Sequence, residues 1–101
     1  MILCINTKDQ KKVVVSLKKE GKVISKLSKQ NKYGSQVLLP LISKILEQEK
    51  MNFKHIKEIA VEIGPGSFTG LRVGVSVANA LGFALSIPVN GKKIETELVY
   101  W

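Results

Sequence analysis

Hydrophobic and polar positions along the first thirty residues predict three short strands. Residues 2–5 form a brief apolar run, and β-branched residues dominate residues 12–17. Glu20 and Gly21 then turn the chain into a third, partly alternating segment over residues 22–27. The chain is therefore expected to open with a meander of three strands.

From Ser35 the apolar residues recur at the three- and four-residue spacing of an amphipathic helix. Pro40 lies inside this pattern and is expected to bend the helix or to mark its true first turn. The apolar positions of this first helix are Val37, Leu38, Leu41, Ile42, Ile45 and Leu46. Because these positions cover a wide arc of the helix surface, one broad apolar face is predicted.

A second alternation of strand and helix follows. Residues 58–63 become solidly apolar toward their end, which predicts an interior strand. A helix then runs from the glycine-rich stretch to just before Pro88, and residues 87–89 can form a short last strand. The loosely alternating tail, 92–101, is expected to add an edge strand or to lie across the surface.

Three strands, helix, strand, helix, strand is the element order of the ribonuclease-H-like fold. The 101 residues have room for one core. The sequence therefore predicts an α/β domain over residues 1–91, with a five-stranded mixed sheet and two main helices, followed by the tail.

The turn that joins the predicted strand over residues 58–63 to the second helix is rich in glycine. Gly64 and Gly66 permit positive φ or a close backbone approach, and Ser67 or Thr69 can cap the helix that follows. Free N–H groups at a helix start favour anions, so the turn could hold a phosphate, with Arg72 completing the site. It could equally be only a tight turn, since its spacing matches neither the P-loop nor the dinucleotide fingerprint.

The second helix carries small residues at every fourth position. We call Gly70, Gly74, Ala78 and Gly82 the glycine stripe. Glycine inside a helix costs about 1 kcal/mol relative to alanine, so the stripe indicates close approach of another backbone. That backbone could belong to the domain's own sheet or to another chain. Apolar residues on the remaining sides of the helix favour a protein partner.

Composition narrows the function classes. Sixteen basic residues against eight acidic ones give a net charge of +8, but only Arg72 is an arginine. A solvated lysine-rich surface is preferred over nucleic-acid binding, because base reading favours arginine forks and aromatic stacking.

Cys4 is the single cysteine, and the first residues lack a charged signal-peptide start, so a reducing, cytoplasmic setting is expected. Arg72 and Asn79, with three glycines and Pro88 within the stretch or at its edge, argue against a membrane span over residues 71–89.

Candidate catalytic residues are sparse. Ribonuclease-H-like enzymes hold metal ions with acidic residues, but the first predicted strand ends at the amide Asn6, and Glu62 has no clear acidic companion. His55 is the only histidine and is expected at the surface. Ser67 and Thr69 have no obvious base, so capping is preferred over a nucleophilic role. No catalytic, metal or cofactor site is predicted.

The glycine-rich stretch from Gly64 to Gly74, the strand residues 2–7 and the segment 35–40 together resemble the N-terminal domain of the TsaB (YeaZ) family. The resemblance runs from Met1 to about Val89, and it implies the actin-like ATPase variety of the ribonuclease-H-like fold. It also implies a subunit that performs no chemistry itself. Such a subunit pairs with the catalytic subunit TsaD, which transfers a threonylcarbamoyl group to tRNA, and an ATPase, TsaE, joins the pair.

Family members pair through the two helices of this domain, so the resemblance and the glycine stripe indicate the same surface. We expect a homodimer when the chain is alone, with tRNA contacted only indirectly or weakly. The predicted interface residues are Leu38, Leu41, Ile42, Ile45, Gly70, Gly74, Ala78, Leu81 and Gly82.

Two departures from the family pattern bear on chemistry. Asn6 stands where the family usually has aspartate, and the histidine often found near Gly34 is absent. Both differences from the family pattern make nucleotide or metal chemistry in this chain less expected. A small ATP- or ADP-binding domain is the alternative function, and a basic tRNA-binding module is the third.

Overall fold

The computed structural model describes residues 1–9, 11–30, 34–66 and 68–92, without the side chains of residues 34, 35 and 68. A single 3-10 turn, Phe53–His55, precedes the last strand. The strands are β1 (Ile2–Asn6), β2 (Lys12–Lys19), β3 (Lys22–Gln30) and β4 (Glu58–Val61), and the helices are α1 (Gly34–Gln48) and α2 (Phe68–Leu85). All but one residue of the predicted tail lies outside the described ranges.

The four strands form one mixed sheet in the order β3-β2-β1-β4. The first three strands pair antiparallel, which confirms the predicted meander, and β4 pairs parallel to β1. Glu20 and Gly21 both have positive φ and close the turn between β2 and β3. A register shift between Leu17 and Lys18 then breaks the β2–β3 ladder, which otherwise continues to the end of β3.

The prediction of a fifth strand over residues 87–89 is wrong. Val89 makes a single parallel bridge with Ile59, and no strand forms there. Beyond the bridge, Asn90 has a left-handed φ of 50°, which turns the chain away from β4. Among the described residues the sheet therefore has four strands rather than the predicted five.

The side chain of Asn90 makes the hydrogen bonds to β4 that the backbone of a neighbouring strand would otherwise make. The Val61 N–H donates to Asn90 Oδ1 at 2.8 Å, and Asn90 Nδ2 donates to the Val61 carbonyl at 3.0 Å. A side-chain amide carries the same donor and acceptor as a peptide group, so it satisfies the strand edge without extending the sheet.

The core lies between one face of the sheet and the two helices. Alternate strand residues such as Leu3, Ile5 and Val15 are no more than 1 % exposed, and they belong to the same cluster as the apolar face of α1. The alternate residues on the other strand face, including Cys4 and Val14, are only partly buried. The helices thus cover one face of the sheet, which we call the inner face.

Candidate functional site

The loops that follow the parallel strands β1 and β4 pack against each other. The Glu62 N–H donates to the Ile5 carbonyl at 2.9 Å, which continues the pairing past the end of β4. A Cβ on Gly66 would lie 2.6 Å from the Lys8 Cβ and 2.8 Å from the Lys8 carbonyl oxygen. Glycine is therefore required at position 66 because the β1–β2 loop occupies that space.

The predicted phosphate-binding residues are arranged around the same loops. The Gly64 N–H donates to the Glu62 carboxylate at 3.2 Å, which places a negative charge at the turn and uses one donor that a phosphate would need. Arg72 is exposed on the first turns of α2, and Ser67 lies outside the described residues. Phosphate binding by Gly64, Gly66, Ser67 and Arg72 stays a prediction.

The residues weighed for acid, base or metal chemistry take local structural roles. Asn6 Oδ1 accepts a hydrogen bond from the Lys8 N–H at 3.1 Å and so stabilises the start of the β1–β2 loop. His55 is exposed, as expected, and its Nδ1 accepts from the Asn52 N–H at 3.0 Å in the capping box of the 3-10 turn. In the described ranges, no three histidine, cysteine or acidic side chains gather where they could hold a metal.

The first two residues of the glycine stripe, Gly70 and Gly74, pack against Thr7 of this chain. The Thr7 hydroxyl donates to the Gly70 carbonyl at 2.5 Å, and Thr7 is only 1 % exposed. A Cβ on Gly74 would lie 3.2 Å from Thr7 Cγ2 and still closer to Thr7 Oγ1. Ala78 is fully buried one turn further on. The group that approaches Gly70 and Gly74 is therefore the side chain of Thr7, the residue directly after β1, within this chain.

The α1 residues predicted as partner contacts also point inward. Leu38, Leu41, Ile42 and Ile45 are between 0 and 7 % exposed within this chain. Leu81 and Gly70 are half-buried, and Gly82 is buried. The structure thus brings the nine predicted interface residues together on the inner sides of the two helices, where most of them are inaccessible to another chain.

The opposite side of α2 is exposed and carries a second set of small residues. Ser76, Ala80 and Ala84 recur every fourth position and are exposed, and Phe83 beside them is 42 % exposed. We call these four residues the outer α2 face. The four-residue spacing of small residues could also have revealed the outer α2 face. Because glycine costs more than alanine or serine inside a helix, the sequence argument concentrated on the glycine stripe instead.

Other apolar side chains are exposed near the helices. Leu39 on α1 is 45 % exposed, and Ile63 after β4 is 59 % exposed. Scattered exposed apolar residues are normal on a monomer, whereas a smooth helix face flanked by a large aromatic is typical of a helix–helix contact. Neither α1 nor α2 combines the length and apolarity that crossing a bilayer requires.

Comparison with known proteins identifies the family. Residues 13–91 match the family model described as TsaD, tRNA N6-adenosine threonylcarbamoyltransferase. A protein of Buchnera aphidicola from Schizaphis graminum, named tRNA threonylcarbamoyladenosine biosynthesis protein TsaB, is 37% identical over 92 residues, which are 90% of this chain and 43% of that protein. A Nitrosospira multiformis protein named tRNA N6-adenosine threonylcarbamoyltransferase is 48% identical over 54 residues, which are 54% of this chain and 16% of that protein.

The fold agrees with this relationship. The structure of YeaZ from Pseudomonas aeruginosa superposes with a TM-score of 0.79 at 31% identity, over 87% of this chain and 42% of that one. This chain spans less than half the length of the relatives that it matches. It belongs to the family that the TsaD model describes and, within that family, to the TsaB (YeaZ) group.

Proposed function

We propose that the chain is a non-catalytic subunit in the biosynthesis of threonylcarbamoyladenosine in tRNA, and that it binds a TsaD-type catalytic subunit through the outer α2 face. The names of its relatives support the pathway. The surface is supported by one observation, the exposed run of Ser76, Ala80 and Ala84 beside Phe83.

The chemistry of the outer α2 face suits another helix. Small residues spaced by four let a second helix approach closely, and a neighbouring aromatic side chain can fill the space beside that contact. Phe83 is the large apolar side chain on this face and would lose its remaining exposed surface on binding. Half-buried Val73 and Val77 on the same helix extend the apolar surface.

The same face would serve self-association. A helix face that binds a related domain can also bind a second copy of itself through a two-fold axis. The TsaD-type partner shares the family with this chain, so homodimer and heterodimer would compete for the outer α2 face. Recruitment of a TsaE-type ATPase would follow formation of the heterodimer.

The experiment is sedimentation velocity of the chain, alone and mixed with the TsaD-type protein of the same organism. We expect a dimer that converts to a one-to-one complex. The double variant Ala80→Glu with Phe83→Asp places two charges on the outer α2 face and should give a folded monomer that no longer binds the partner.

A matched control places the same two acidic residues elsewhere. Val23 is 52 % exposed on β3, and Ser28 is exposed on the same strand. Val23→Asp with Ser28→Glu removes one large apolar side chain and adds two negative charges, and it should leave both complexes intact. Undiminished partner binding by the α2 variant would refute the assigned surface. A wild-type chain that never associates with the TsaD-type protein would refute the proposed role.

A further inference from the structure

The positive charge of this chain is concentrated in its first third. From Lys8 to Lys32 there are nine lysines against two acidic residues, whereas the remaining residues contain seven basic and six acidic ones. A lysine-rich composition alone would spread the excess along the chain. The concentration therefore needs a local explanation.

The structure displays this charge around the hairpin of β2 and β3. Lys12 and Lys18 occupy alternate positions of β2 on the face away from the helices, and Lys26 of β3 pairs with Ser16 on that same face. We call Lys12, Lys18 and Lys26 the basic face. All described lysines of the stretch are exposed: Lys8, Lys11, Lys12, Lys18, Lys19, Lys22, Lys26 and Lys29.

Protection of a sheet edge explains only part of this pattern. Edge strands often carry lysines because a charge opposes pairing with another chain. β3 is an edge strand, so this reason covers Lys22, Lys26 and Lys29. β2, however, lies inside the sheet between β3 and β1, so Lys12 and Lys18 do not protect an edge.

The residue types on this surface indicate which ligand it suits. Residues 1–30 contain no arginine and no aromatic side chain, so they offer neither forked base contacts nor stacking platforms. Lysine ammonium groups attract phosphates as point charges without reading sequence. Lys12 and Lys18 are six residues apart on an extended strand, which corresponds to about 20 Å. Such spacing suits an extended polyanion better than a single anion.

We propose that the basic face binds the phosphate backbone of a folded RNA, without base recognition, and so helps to hold the tRNA substrate beside the catalytic subunit. This inference rests on the proposed function for the identity of the RNA. Lys18 and Lys26, which are both exposed, also border an open cavity of about 300 Å³ on the sheet face away from the helices, where Glu62 is the one acidic residue of the described lining.

The test uses the full 101-residue chain and a fluorescently labelled, unmodified tRNA transcript, with binding followed by anisotropy between 50 and 200 mM salt. Each phosphate contact contributes about 0.7 to 0.9 to the slope of log K against log salt. Replacing Lys12, Lys18 and Lys26 by glutamine should reduce that slope by about 2 to 3, which corresponds to a loss of affinity on the order of 100-fold at 0.1 M salt.

The matched control removes the same charge elsewhere. Lys44, Lys54 and Lys57 are exposed and lie outside the hairpin. Their replacement by glutamine lowers the net charge equally and should change the affinity by less than about threefold, because distant exposed charges are screened at these salt concentrations. Circular dichroism should show that both triple variants remain folded.

Each outcome has a defined meaning. Loss of tRNA binding in the basic-face variant, with sedimentation showing that its partner complex is retained, supports the inference separately from the proposed function. Equal losses in both triple variants would show diffuse attraction by net charge and overturn it. Unchanged tRNA binding, with loss of the partner complex, would also overturn it and identify the basic face as a contact for an acidic protein surface.

Discussion

Replacing Gly74 by alanine is expected to destabilise the fold, although glycine-to-alanine changes in exposed helix positions normally stabilise. The added methyl group would enter the space of the Thr7 side chain, 3.2 Å from its Cγ2 and nearer still to its hydroxyl oxygen. Thr7 is 1 % exposed and donates its hydroxyl hydrogen to the Gly70 carbonyl. The side chain therefore cannot turn away without breaking a hydrogen bond.

Three contributions set the size of the change in the free energy of unfolding of Gly74→Ala. Alanine gains about 1 kcal/mol of helix propensity over glycine. Overpacking in a well-filled region costs about 1 to 3 kcal/mol. Leaving the buried Thr7 hydroxyl without its partner costs about 1 to 3 kcal/mol more. The free energy of unfolding should therefore fall by about 1 to 5 kcal/mol, which lowers Tm by at least about 5 °C in a domain of this size.

The assay is urea denaturation followed by far-UV circular dichroism on Gly74→Ala, Thr7→Ala and the double variant. Removing the Thr7 hydroxyl and methyl groups relieves the closest contacts, so Gly74→Ala should cost close to nothing in the Thr7→Ala background. The double-mutant cycle should then show a coupling of about 2 kcal/mol. Ser76→Ala, at an exposed position of the same helix, is the control and should be neutral or slightly stabilising.

Two results would refute this reasoning. A Gly74→Ala variant as stable as the wild type would mean that α2 can move away from Thr7 at no cost. An equal cost in both backgrounds would mean that Thr7 is not the obstacle. Either result would reopen the possibility that the glycine stripe serves another chain.

Three further changes test the local structure. Asn90→Ala removes both hydrogen bonds to Val61 and puts alanine at a φ of 50°, so the free energy of unfolding should fall by about 2 kcal/mol. Asn90→Gly tolerates that φ, so its free energy of unfolding should fall by less. Pro40→Ala supplies the helix with a missing N–H donor and should raise Tm, because proline inside a helix is about 3 kcal/mol less favourable than alanine; an unchanged Tm would contradict this. Gly66→Ala would place a methyl carbon 2.8 Å from the Lys8 carbonyl oxygen and should lower Tm by several degrees, unless the β1–β2 loop can withdraw freely.

Local patterns predicted the elements well because each has its own period. The first three strands were found within three residues of their ends, and α1 was found over nearly its full length, with Pro40 inside it. β4 ends at Val61, two residues before the predicted end, and Ile63 is 59 % exposed. An apolar run does not show where pairing stops, since that depends on the neighbouring strand.

The fifth strand shows how one residue can change the topology that a pattern suggests. Ile87, Pro88 and Val89 have the composition of a short strand, and Val89 does bridge to Ile59. Asn90 then adopts the left-handed conformation and uses its side chain on β4. Asparagine followed by glycine is typical of a turn. The hydrogen bonds of the Asn90 amide to the edge of β4, however, depend on where Val61 lies, 29 residues away in the chain.

The predicted partner surface illustrates a different limit. The apolar face of α1 and the glycine stripe of α2 were predicted as partner contacts. In the structure the α1 face and Ala78 belong to the domain's own core, and Gly74 packs against Thr7. An exposed contact face and a buried one have similar composition when small residues are involved. The outer α2 face, with Phe83 42 % exposed, stays accessible to another chain.

The sequence by itself determined the order of strands and helices, the broad α/β class, the family resemblance and the concentration of charge near the N-terminus. These properties are local, because periodicity, turn residues and charge are read from neighbours in the chain. The tertiary structure decided which side of α2 faces inward. Both sides carry small residues at period four, and the side that packs inward is the one whose Gly70 accepts a hydrogen bond from Thr7, 63 residues away. Local spacing contains no record of that contact, since it exists only after α2 has packed against the residue that follows β1.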